Sequence, residues 1–213
     1  MQHLFSPEPP DTPNRSTRSP SSVADRGIPD PLQGAVLEIE EHVARAGWDA
    51  PVRVFALIRT AEALARDPGL GDRLHPDIVQ RAGSAPGYLT PVEQEDLPQA
   101  QSVEELLGRI SFGPAVDGAA VSVERIVVPP DVERTLPQDP EQALPILLAS
   151  PHREDVRLVV GALRTGPACC AVRQRSHDHP GMVGISPDMA PGIIEALRAT
   201  LEDRDPCQPQ EPR

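Results

Sequence analysis

Residues 155–175, DVRLVVGALRTGPACCAVRQR, constrain the fold more than any other stretch. Two apolar, Val-rich runs flank a turn at Thr165-Gly166-Pro167. Runs of that length read as strands, and so short a connection makes a hairpin, so the two are antiparallel. Val156, Leu158, Val160 and Ala162 share one face of the first strand because side chains alternate. GAAVSVERIVVPP at 118–130 reads as another strand, stopped by Pro129-Pro130, and GMVGIS at 181–186 as a short fourth. Ile126 and Val128 are out of phase with Ala119, Val121 and Val123. That shift predicts a bulge near Glu124-Arg125 or burial on both faces.

The remaining apolar pattern has a helical period. Over 30–47, Asp30 and Pro31 start a helix, with Gln33 completing a capping box, and Gly47 ends it. Leu32, Val36, Ile39, Val43 and Ala46 form its apolar stripe, with Glu38, Glu40, Glu41 and Arg45 opposite. APVRVFALIRTAEALARDPG at 50–69 reads as a second helix with a wide apolar face of Val54, Phe55, Leu57, Ile58, Ala61 and Leu64. Shorter helices are predicted around 76–81, from the Ser102/Glu105 capping box, from Asp139 (with Pro145 as a kink) and over 191–202. Strands do not alternate with helices, which argues against a doubly wound parallel sheet. The expected class is α+β: a small antiparallel sheet of three or four strands, helices on one face, two antiparallel N-terminal helices and a C-terminal helix.

Residues 1–29 and 204–213 are rich in Pro and polar residues and are expected to be disordered tails, leaving 30–203 as one domain. With 2% aromatics, the core must come from Leu, Val, Ile and Ala. The formal charge is −12, and every one of the 20 basic residues is arginine. Having no lysine excludes a GxxxxGK[ST] phosphate loop and Schiff-base chemistry. The acidity argues against nucleic-acid partners, since that affinity rests on neutralising phosphates. No run is long and apolar enough for a membrane span, and the N-terminus lacks the pattern of a secretory signal. Three cysteines, two adjacent, make no disulfide framework, so a cytoplasmic location is expected.

ACCAVRQRSHDHPG at 168–181 holds the residues that look most like chemistry. Cys169 and Cys170 point to opposite faces of a strand and cannot ligate one ion, so they read as small packing residues. His177 and His179 in an extended segment would face the same side, and with Asp178 they are the candidate metal ligands, but partners for a full zinc set are missing. Arg157, Arg164, Arg173 and Arg175 concentrate on the hairpin. Arg157, Arg173 and Arg175 are the candidates for binding an anion or a partner, against the alternative that they pair with the protein's own carboxylates. No catalytic constellation, metal set or cofactor motif is recognised, and Trp48 in GWDAP is expected in the core, covering helix ends.

The blocks EHVARAGWDAPVRVFALIRTAEALA, LTPVEQE, ERIVVPPDVE, EDVRLVVGALRTG and PGIIEALRATL resemble a conserved actinobacterial family of small acidic proteins of unknown function, over about residues 33–202. Gly47-Trp48-Asp49, Arg53, Phe55-Ala56-Leu57, Thr60-Ala61 and His177-Asp178 correspond to its blocks, whereas His179 departs from an acidic position. The resemblance implies a high-GC actinobacterial source and a cytoplasmic protein, and it supplies no activity or cofactor. The expected function is a non-enzymatic protein-interaction or adaptor domain, using a sheet face or edge strand for an unknown protein partner. The alternative is a metal- or anion-dependent enzyme with its site near the His177-Asp178 loop, and a nucleic-acid regulator is the third reading.

Overall fold

A computed structural model describes residues 30–202 apart from Pro180, so the expected tails lie outside the described residues. Helix α1 (Pro31–Ala44) begins at Asp30, whose side chain accepts a hydrogen bond from Leu32 N at 2.8 Å. Strand β1 (Arg53–Arg59) runs directly into α2 (Thr60–Arg66), and α3 (Pro76–Ser84) leads to β2 (Leu89–Glu93). Then come α4 (Val103–Gly108), β3 (Gly118–Val127), α5 (Pro130–Glu133) and α6 (Pro140–Ala149). The hairpin β4 (Glu154–Leu163) and β5 (Ala168–Gln174), β6 (Val183–Ser186) and α7 (Pro191–Leu201) complete the order.

Among the described residues the strands form one antiparallel sheet of six, in the order β2-β1-β3-β4-β5-β6. The α+β class and the β4–β5 hairpin hold. The expectation of three or four strands is corrected to six, and the second N-terminal helix is corrected to a strand followed by two helical turns. The error has a physical cause. VFALI is apolar throughout because β1 is covered on both faces: Phe55 and Leu57 join the α1 side, Val54 and Ala56 the other. A continuous apolar run fits a helix face and a doubly buried strand equally well. β2 carries Pro91, which masks its strand signal.

Helices cover both faces, not one. α1 packs with Phe55, Leu57, Ala120, Val159 and Ala171, while α4 and α7 pack with Val54, Val121, Val160 and Cys170. Cys169 and Cys170 thus enter opposite cores. The first six residues of β3 are buried and its pairing with β4 is continuous from Gly118 to Val127, so burial on both faces, not a bulge, explains its pattern. α1 approaches the sheet over Gly161, where an added Cβ would lie 2.7 Å from Val36 Cγ2. Among the described residues no helix is long and apolar enough to cross a membrane.

Candidate functional site

The candidate arginines converge at one corner, where the α1–β1 connection meets the start of β4 and the exit of β5. Two backbone turns shape that connection: Gly47 has φ +84° and Asp49 φ +66°. Glycine takes this left-handed region freely, and Asp is among the few other residues that do so routinely. Between them, Trp48 is half-buried and lies under two guanidinium groups, Arg157 Cζ at 4.4 Å and Arg175 Cζ at 5.4 Å from the ring centroid. Both fall within cation–π range. Trp48 Nε1 donates to Asp178 Oδ2 at 2.8 Å. The expected core tryptophan is instead a platform that stacks arginines.

Each candidate arginine is engaged by a carboxylate of this chain. Arg175 donates two 2.8 Å bonds to Asp49, a fork-to-fork pair that holds the Asp49 carboxyl below its ordinary range and raises the guanidinium. Arg157 is only 1% exposed and donates to Glu124 Oε1 at 3.1 Å and to the Gly47 carbonyl. Glu124 Oε2 also accepts from Asp49 N at 2.8 Å, so one carboxylate ties β3 to both the loop and β4. Arg173 donates through Nε and Nη2 to Glu40, both at 2.6 Å, and through Nη1 to Asp178 Oδ1 at 3.4 Å and the His179 carbonyl at 2.9 Å. The Glu40 bonds raise the Arg173 guanidinium.

Glu40 and Trp48 are the partners that sequence reasoning missed. The charge pattern of α1 places Glu40 beside Glu38 and Glu41 on the polar side, yet it is 2% exposed. The signal was present: Glu40 follows Val36 by four residues and precedes Val43 by three, which places it on the apolar stripe. A carboxylate there requires a buried cation.

The His177–His179 segment is not extended. Arg175–His177 form one 3₁₀ turn, so the alternation that would align the two imidazoles is lost. His177 Nδ1 lies 2.8 Å from Ser176 Oγ, and Ser176 donates to Glu154 through N and Oγ, at 3.0 and 2.7 Å. Those bonds lower the Glu154 carboxyl. Asp178 is held by Trp48 and Arg173. Among the described residues no group of three or more His, Cys, Asp or Glu is placed to hold a metal ion. Burial pushes the Cys169 thiol up to about 11 and raises Cys170 as well, the opposite of what a nucleophilic thiolate needs.

Beside this corner lie two clefts that share Glu124, Arg125 and Ile126 and are bordered by α6. A cleft of about 310 Å³ is lined by Asp49, Asp155, Arg175 and Leu148. The other, about 760 Å³, is lined largely by apolar residues, among them Leu97, Val103, Ile126, Leu144 and Leu147. α6 has the sequence PEQALPILLA, apolar over most of its circumference, yet Leu144, Ile146 and Leu148 are 50%, 47% and 50% exposed. Helices that are apolar all round are normally buried.

A family model described as PPA1309-like protein matches residues 32–202. No curated protein matches the chain. No solved structure matches it either.

Proposed function

The chain belongs to the PPA1309-like protein family, and from the surface it presents we propose that it is a non-enzymatic protein-binding module that receives an apolar helical segment of a partner protein on α6 and the cleft beside it. The single observation that carries this reading is the exposure of Leu144, Ile146 and Leu148 on a helix with little polar surface. Leu144 and Leu148 stand one turn apart on the side of α6 that borders the clefts, and Ile146 projects from the other side. Exposed apolar surface beside a groove marks interaction sites, and grooves lined by aliphatic side chains take amphipathic helices. The neighbouring arginine corner serves as a rigid support. Its guanidinium groups pair with carboxylates of the same chain, so the charged side chains brace the sheet end from which α6 projects.

The test is site-specific photo-crosslinking in the native host, with the photoreactive residue at position 147, which lines the larger cleft, and, as a control, at Arg66 on the surface of α2. The expected result is one discrete adduct with another protein from position 147 only, lost when Leu144 and Leu148 are both changed to Asp. Adducts equally frequent at both positions, or an adduct only with a second copy of the chain, would overturn the adaptor reading. We also take 30–203 as one domain, expected to melt as the full chain does. The absence of lysine and the family resemblance support an actinobacterial source and a cytoplasmic protein, the location being checked by cell fractionation.

A further inference from the structure

The two edges of the sheet are not equivalent. Tyr88 O accepts from Thr60 N at 3.3 Å and Gln94 N donates to Val54 O at 2.8 Å. Since hydrogen-bonded pairs alternate along an antiparallel ladder, Thr90 and Val92 also bond toward β1, and Leu89, Pro91 and Glu93 turn their backbone outward. Pro91 has no N–H, so the β2 edge lacks a donor at the centre of its free side. Proline at that position is a known protection against strand addition.

β6 differs from β2. Leu163 N donates to Pro167 O at 3.3 Å, which sets the β4–β5 register so that Cys169, Ala171 and Arg173 bond toward β4. Cys170 and Val172 therefore bond toward Ser186 and Gly184, and the backbone groups of Val183 and Ile185 face away from the sheet. Among the described residues β6 is the last strand in the sheet order. Around it Met182, Ile185 and Met189 are 54%, 40% and 44% exposed, and methionine-rich surfaces adapt readily to different partners. Past its C-terminal end, a groove of about 580 Å³ is lined by Pro187, Asp188, Ile194, Glu195, Arg198 and Glu202. Arg198 is tied to the Gly166 carbonyl at 3.1 Å, and the groove carries three carboxylates against that one guanidinium.

We propose that the open β6 edge binds an extended peptide by strand addition, the peptide carrying a basic residue that enters the Asp188–Glu195–Glu202 groove. An antiparallel strand on β6 runs its N-terminal end past Ser186 toward that groove, so the basic residue precedes the apolar pair that lies beside Ile185. Charge complementarity selects this occupant over a second copy. An antiparallel pair of β6 edges would hydrogen-bond through two residues of each copy and lay the Met182 end of one strand beside the groove of the other, so it would bring the three carboxylates no guanidinium and would add the repulsion of two chains of net charge −12. An extended peptide continues from the edge into the groove, which a folded copy cannot do. This surface is distinct from α6 and extends the binding-module reading to a second partner chemistry.

The experiment uses the full chain and two peptides labelled at the C-terminus, Arg-Arg-Val-Thr-Val-Thr-Val and its Glu-Glu counterpart, with binding read by fluorescence anisotropy. The basic peptide is expected to bind about tenfold or more tightly than the acidic one. Ile185→Pro removes the outward N–H while leaving the bonds to β5, and should weaken binding about tenfold with an unchanged melting temperature. Glu195→Arg with Glu202→Arg should reverse the peptide preference, and decides the matter should Ile185→Pro fail to fold. Equal affinity for the two peptides, no binding of either, or full binding by Ile185→Pro would overturn the proposal. So would a dimer in sedimentation experiments that Ile185→Pro dissolves, which would assign the edge to a second copy. Crosslinking at position 147 is read independently, so either surface can fail alone.

Discussion

Arg173 on β5 and Glu40 on α1 stand 133 residues apart in the chain and meet through two parallel 2.6 Å hydrogen bonds. The pair crosses one apolar layer and locks α1 to the sheet, while the remaining Arg173 donor holds Asp178 and the His179 carbonyl. Both side chains are almost wholly buried. Removing one partner strands an uncompensated charge, so Arg173→Met or Glu40→Leu alone should destabilise by about 3–5 kcal/mol. The double substitution should recover most of that loss, because two aliphatic side chains carry no desolvation penalty. Urea unfolding of the four proteins in a double-mutant cycle checks this, and additive single losses would contradict it.

Gly161 makes the close approach of α1 possible. An added methyl would press on Val36 Cγ2 at 2.7 Å and Leu32 Cδ1 at 3.2 Å, both in the same core. Gly161→Ala should therefore cost about 1–3 kcal/mol by overpacking. Val36→Ala, harmful by itself, should become less harmful in that background, since it makes the space the new methyl needs. Thermal melting of the two single variants and the double variant measures the coupling.

Stability should decline in acid partly through Asp49 and Glu154. Both carboxyls are lowered, Asp49 chiefly by its hydrogen bonds from Arg175 and Glu154 by those from Ser176. A lowered carboxyl contributes stability that is fully present above its unfolded value, about 4, and is lost as pH falls through the lower folded value. The wild type should exceed Asp49→Asn in melting temperature at neutral pH, and the gap should close below about pH 4. A gap independent of pH would refute the assignment.

The thiols of Cys169 and Cys170 should be inert in the native protein. Burial raises both, Cys169 to about 11, so little thiolate exists near neutrality. In a Cys207→Ser background, Ellman's reagent at about pH 8 should detect almost no thiol until denaturant is added, and then both. Rapid native reaction would restore the case for a reactive cysteine.

Local pattern alone was enough to make the β4–β5 hairpin, the opposite orientation of Cys169 and Cys170, and the caps at Asp30, Ser102 and Asp139 legible. Each depends on residues a few positions apart: a turn, an alternation, a side-chain oxygen near a free N–H. The arginine concentration on the hairpin was also legible, and so was its alternative pairing with carboxylates of the chain. What the tertiary structure decided was every feature that depends on a distant neighbour. VFALI became a strand because both of its faces found cover, which no periodicity within the run can reveal. Glu40 became a buried anion because Arg173 arrives from β5, and Trp48 a platform because β4 and the β5 exit deliver Arg157 and Arg175 to its faces. Apolar pattern reports how much surface a residue must bury. Which element does the burying, and which charge meets which, is set by the order of strands in the sheet.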